Sequence, residues 1–200
     1  MKPSVFANLV AQMRASEKKY WQGGRQHNDL LRSIDYESQV DKEIKRTADF
    51  LALHPESQPS KDKPEWKFFC LVTVLRKNTR EYFDRKKKHR QLTPQQQLLA
   101  KDELKELWTS VIHYEAEVDK YLQRLSDAAK RAQGYIITFQ VIRSRARMSE
   151  PQVMLSTSDE HYANVECYDL NTKSRDGSIY SIRRIEQPPS QPQQQQLSFQ

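Results

Sequence analysis

Apolar positions in the first two-thirds of the chain recur at helical spacing, and the same pattern comes round twice. Phe6, Leu9, Val10, Met13 and Tyr20 share one face of a helix, as do Phe68, Leu71, Val72, Leu75 and Tyr82. Further along, Tyr36, Val40, Ile44, Thr47 and Leu51 are echoed by Tyr114, Val118, Leu122, Leu125 and Ala129. Segment 5–21 (VFANLVAQMRASEKKYW) aligns without a gap on 67–83 (KFFCLVTVLRKNTREYF), so Arg14 falls on Arg76. Segment 33–47 aligns on 111–125, where Ile34, Tyr36, Glu37, Val40, Asp41 and Lys42 recur as Ile112, Tyr114, Glu115, Val118, Asp119 and Lys120. Unrelated segments of this length match at roughly one position, so the pattern predicts an internal duplication of an αα-hairpin.

The connections differ between the copies. In the first, Gly23-Gly24 marks a short turn and Asn28 or Asp29 is the expected N-cap of the second helix. Residues 54–64 (HPESQPSKDKP) have three prolines and no periodicity, and read as a linker. In the second copy the connection is longer and runs through DRKKKHRQLTPQQQLLAKDEL. Thr93-Pro94 with Gln96 is a helix start, so a fourth helix is expected from about Pro94 to about Gln133, with Gly134 as its cap. If the third helix runs into the basic stretch, both helices overshoot the first copy by about eight residues, about 12 Å.

After Gly134 the period shortens to two. Tyr135, Ile137, Phe139 and Val141 alternate, as do Tyr180 and Ile182, and Asp176-Gly177 is a hairpin-type turn. Three or four short strands are expected over 135–186, followed by a disordered, Pro- and Gln-rich tail over 187–200. The expected fold is mainly α. Hairpins at 1–53 and 65–133 form a four-helix bundle-like domain, followed by a small β-rich region at 134–186 and the tail.

Charge is unevenly spread. The net +7 arises mostly in residues 63–132, where 16 Lys or Arg face 10 Asp or Glu. The run Arg85, Lys86, Lys87, Lys88, His89, Arg90 exceeds what offsetting a helix C-terminal dipole requires. With Arg143, Arg145 and Arg147, which share a face if their strand continues, it is the candidate contact for phosphates, a salt-sensitive and sequence-independent mode of binding. No helix-turn-helix, zinc-finger or RNA-recognition signature accompanies it.

Other chemistry is sparse. The paired acids Glu37/Asp41 and Glu115/Asp119 invite a di-iron comparison, but Glu-x-x-His is missing. Their expected role is ion pairing between helices, with Arg14 and Arg76 or with Lys18 and Arg80. Asp169-Leu-Asn171 opens like a calcium loop, but Ser174 and Tyr180 occupy the required glycine and glutamate positions. Cys70 and Cys167 are isolated, so neither a disulfide nor zinc is expected. The histidines stand in no catalytic spacing, and four glycines make no phosphate loop. The expectation is therefore a protein that is not an enzyme and carries no cofactor or metal. No apolar run nears the roughly 20 residues of a membrane span, and the start lacks signal-peptide character, so a cytoplasmic chain is expected.

The motif F-x-x-L-V-x-x-M-R-x-x-x-K-x-Y-[WF], followed by Y-E-x-x-V-D, is carried by Phe6–Trp21 with Tyr36–Asp41 and more loosely by Phe68–Phe83 with Tyr114–Asp119. It resembles uncharacterised helical-hairpin proteins of bacterial phages and other mobile elements. The resemblance covers about half the chain and implies a mobile-element context without any transferable functional residue. The seam Leu104, Trp108, Val111, Val118, Leu122, Leu125 is longer than the neighbouring helices can cover, which points to a protein partner or self-association. A helical interaction or assembly protein is thus the first expectation, and an accessory protein binding nucleic acid through Arg85–Arg90 the second.

Overall fold

The computed structural model describes residues 2–145 and 150–189 and divides into two compact units, Met1–Arg124 and Leu125–Gln200. The fold is mainly α with a small C-terminal β region. The first unit holds α1 (Pro3–Gln22), α2 (His27–Leu53), α3 (Pro64–His89) and most of α4 (Pro94–Ala132), with a 3₁₀ turn at Pro55–Ser57. Proline opens α1, α3 and α4, where its missing N–H costs nothing and its fixed φ suits a first turn.

All four helices contribute to one core. Phe6, Val10 and Met13 of α1 pack with Val40 of α2, Phe68, Val72 and Leu75 of α3, and Val111 and Val118 of α4. These are the positions of the helical stripes, and Leu9, Tyr36, Ile44, Leu71, Tyr82, Tyr114 and Leu122 close around them half-buried. Aromatic rings gather beside this core: Phe6 meets Phe68 edge-on at 6.1 Å, and Phe68 stacks on Tyr121 at 4.3 Å.

Two local expectations are corrected here. Neither Asn28 nor Asp29 caps α2. The helix starts earlier, at His27 behind Gln26, and Asp29 is buried in the first turn with its carboxylate taken by Lys19 Nζ at 2.8 Å. The extra residues of the second hairpin are also not shared equally. Gln22, the end of α1, aligns with Asp84, so only Arg85–His89 of α3 extend further. His27 aligns with Lys105, which leaves residues 94–104 as the excess of α4. At 1.5 Å per residue these are overhangs of about 8 and 16 Å. At the tip, Gln96 Oε1 accepts from the Thr93 N–H at 3.1 Å, as a capping box does.

In the second unit, α4 ends at Ala132, where the Gly134 N–H donates to the Arg131 carbonyl at 3.0 Å. Gly134 has φ +86, a conformation natural to glycine. Strands β1 (Ile136–Ser144), β2 (Gln152–Thr157) and β3 (Ile179–Gln187) form an antiparallel sheet in the order β2-β1-β3, with a bulge between Val141 and Ile142. Ile137, Phe139 and Val141 line one face and are covered by α5 (Glu160–Lys173) through Ala163, Cys167 and Leu170.

Helix α5 corrects the expectation of strands alone over 135–186. Its apolar residues lie on two faces: Ala163 is buried, while Tyr162, Val165 and Tyr168 look outward. No single stripe therefore marks it. The Asp159 carboxylate caps it, accepting from the His161 and Tyr162 N–H groups at 2.8 and 3.2 Å. The expected tail is also shortened, since β3 runs through Gln187; from residue 190 the tail lies outside the described residues. Among the described residues no helix is long and apolar enough to cross a membrane.

Candidate functional site

Two arginines, each inside the bundle, organise the polar interior of the first unit. Arg14 is buried on α1 and forms a fork to Asp119 of α4, Nε to Oδ1 and Nη2 to Oδ2, both at 3.1 Å. Its Nη1 bonds Glu115 at 2.9 Å and also Glu17 on its own helix. Arg76, equally buried on α3, makes the same fork to Asp41 of α2 at 2.9 and 3.0 Å and bonds Glu37 at 2.8 Å. Lys18 adds a bond to Asp119 at 2.9 Å and Arg80 one to Asp41 at 3.2 Å. Each arginine therefore reaches the acids of the other hairpin. The carriers expected from sequence are all present, and the pairing is crossed between hairpins.

The electrostatics follow. Burial alone lowers the pKa of a guanidinium, but the Asp119 hydrogen bonds and the carboxylates around Arg14 hold it above its ordinary value, and Asp41 and Glu37 do the same for Arg76. Burial pushes the Asp41 and Asp119 carboxyls up, yet the bonds from Arg76 with Arg80, and from Arg14 with Lys18, outweigh it and leave both below the usual range. Glu17 behaves in the opposite way. Burial, together with Glu37 and Glu115 nearby, raises it to about 7 against the pull of Arg14. Nothing in the notion of paired acids singled out Glu17; the signal was its i,i+3 spacing from Arg14 on the same helix face.

The basic run has a mixed fate. Arg85 is held by Glu81 at 2.6 Å and Glu103 at 3.2 Å. The Lys86 ammonium lies over the Tyr82 ring, 5.2 Å from its centre, and His89 Nε2 is 2.9 Å from the Gln97 carbonyl. Lys87, Lys88 and Arg90 are exposed, and no ion pair engages them among the described residues. Beside this run, a groove of about 490 Å³ between α2 and α3 is lined by Arg76, Lys77, Arg80, Arg85 and Lys88, with Glu81 and Asp84 among them. Leu98 and Leu99, on the overhanging start of α4, are 71% and 81% exposed, and Trp108 and Ile112 further along are 37% and 49% exposed.

The second basic cluster lies in the other unit, where Arg143 and Arg145 face one carboxylate. Arg143 Nε donates to the Ser178 hydroxyl at 2.9 Å and its Nη2 pairs with Asp176, while Arg145 Nη1 stands 3.8 Å from that same carboxylate. The strand ends at Ser144, so it does not carry the alternation through to Arg147, which lies outside the described residues. The Asp169–Asn171 segment forms the last turns of α5, with Asp169 bonded to Lys173 at 3.2 Å. No group of acids, histidines or cysteines among the described residues could hold a metal ion. No family model, curated protein or solved structure matches this chain.

Proposed function

We propose that this chain is a non-enzymatic interaction protein that assembles through helical surface, chiefly the amino-terminal part of α4. One observation carries the reading: the amino-terminal part of α4 runs past the positions matched by α2 and presents Leu98 and Leu99 to solvent, with Trp108 and Ile112 also exposed further along. Exposed apolar side chains of this kind on a rigid helix are what a partner helix covers. Each leucine buried on binding contributes about 1.5–3 kcal/mol. Light scattering coupled to size-exclusion chromatography, on the chain alone and with co-expressed neighbours, is the test. Assembly is expected for the wild type and a loss of at least about tenfold in affinity for Leu98→Gln with Leu99→Gln. A wild-type chain that stays strictly monomeric and partnerless ends the proposal.

A second reading rests on Lys87, Lys88 and Arg90, three exposed cations at the same tip without carboxylate partners among the described residues. Such groups suit phosphate contact without sequence preference. Fluorescence anisotropy with random DNA and RNA tests it: binding at low salt that disappears when the three become glutamine supports it, and no binding at low salt removes it. A phage or mobile-element setting fits either reading.

A further inference from the structure

Positions that align in sequence face one another across the first unit. Phe6 touches Phe68. Arg14 takes Glu115 and Asp119, while Arg76 takes Glu37 and Asp41, the aligned acids of the other hairpin. Lys18 and Arg80, also aligned, add the outer bond on each side. A contact in which i meets j and j meets i is isologous, the arrangement of a two-fold dimer. Each hairpin thus carries both parts of one recognition pattern, a basic pair on its first helix and an acidic pair on its second.

Glu17 is where the halves differ. It aligns with Thr79, whose hydroxyl turns back to donate to the Leu75 carbonyl at 2.9 Å. Glu17 already feels Glu37 and Glu115, with Arg14 as its counter-charge. Two copies of the first hairpin, paired by the same geometry, would bring together two Glu17, each mostly buried, and two half-buried Glu37 around two arginines, where like charges repel. The first hairpin with the second brings in a single Glu17.

We propose that the inner face of each hairpin is a docking surface for a second copy of this chain, reached by exchange of hairpins, and that Glu17 disfavours the pairing of two first hairpins. This goes beyond the assembly reading and uses a different surface from the α4 overhang. Residues 54–63 separate α2 from α3 and reach up to roughly 35 Å when extended, enough to pass a hairpin to a neighbour. In the exchanged dimer each bundle combines one chain's α1 and α2 with the other chain's α3 and α4, and every ion pair is kept.

Two full-length variants test the exchange. R14D/K18D sets acids against Glu115 and Asp119, and E115R/D119R sets cations against Arg14 and Lys18. Neither variant can close on itself without like charges meeting. Refolded together in equal amounts, exchange restores opposite charges in both bundles. The expected product is a mixed dimer of twice 23.7 kDa that melts above either variant alone. A mixture that yields no two-chain species, whether monomeric or aggregated, overturns the exchange. For Glu17, Thr79→Glu adds the second central carboxylate and is expected to lower the melting temperature more at pH 8 than at pH 5.5. A T79E chain melting like wild type at both pH values overturns that assignment. If wild type assembles through the α4 overhang while the mixture gives no dimer, the assembly reading stands and hairpin exchange falls.

Discussion

Glu17 shows how much one carboxyl can report on its surroundings. Its neighbours Asp41 and Asp119 each accept a two-pronged arginine fork, and their ionised forms are favoured despite burial. Glu17 shares Arg14 with two stronger claimants, so burial and the nearby glutamates win, and its pKa rises from 4.5 to about 7. The linkage signs are opposite. Asp41 and Asp119 contribute stability that is present above their ordinary 3.8 and is lost as pH falls through their lower folded values. For Glu17, the folded state holds a proton between 4.5 and about 7 that the unfolded state has released, so stability falls as pH rises through that window. The ionisation costs on the order of 3 kcal/mol by pH 8. Glu17→Gln should therefore melt with a nearly flat profile between pH 5 and 8 where the wild type declines. Parallel profiles for the two proteins would mean that Glu17 titrates as an ordinary surface acid.

At the scale of elements, what could be read from the sequence depended on whether a segment buries one face or two. Helices α1–α4 each bury a single stripe, so Phe6, Val10 and Met13, or Phe68, Val72 and Leu75, stood out at helical spacing and became core. Strand β1 was equally plain because Ile137, Phe139 and Val141 alternate toward α5. Helix α5 was not, since Tyr162 and Tyr168 on its outer face cancel the signal from Ala163, Cys167 and Leu170 on its inner one. Its local clue is Asp159, whose carboxylate caps the helix. Asp29 misled for the converse reason: an acid near a helix start suggests a cap, but a lysine one hairpin turn away competes for the same oxygen. The arginine–acid pairs were legible as residue types, because a duplicated Arg and duplicated Glu/Asp imply a shared role. Their crossing between hairpins was not, because pairing across a core depends on how the halves meet and leaves no trace in spacing.

At the scale of the molecule, the excess charge is smaller in effect than in count. Residues 63–132 hold 16 basic side chains, yet Arg76, Arg80 and Arg85 are spent on carboxylates and Lys86 rests on a tyrosine ring. In the second unit Arg143 and Arg145 face Asp176. Of the charge that made nucleic acid a natural partner from composition, Lys87, Lys88 and Arg90 remain without carboxylate partners at the tip among the described residues, and Lys77, Lys101 and Lys105 are exposed on the same two helices. The number of neutralised phosphates sets the salt dependence of binding, with a slope of about −0.9 per phosphate on duplex DNA and about −0.7 on single strands. If the three tip cations are the whole contact, log K against log salt should fall with a slope of about −2.7 for duplex and about −2.1 for single strands. A slope steeper than about −5 would mean that further cations join the contact, the exposed Lys77, Lys101 and Lys105 of the same two helices first. The same titration run on Glu81→Gln with Glu103→Gln separates these cases. Freeing Arg85 from both partners should steepen the slope by about one phosphate if the tip is the contact surface, and leave it unchanged if binding occurs elsewhere.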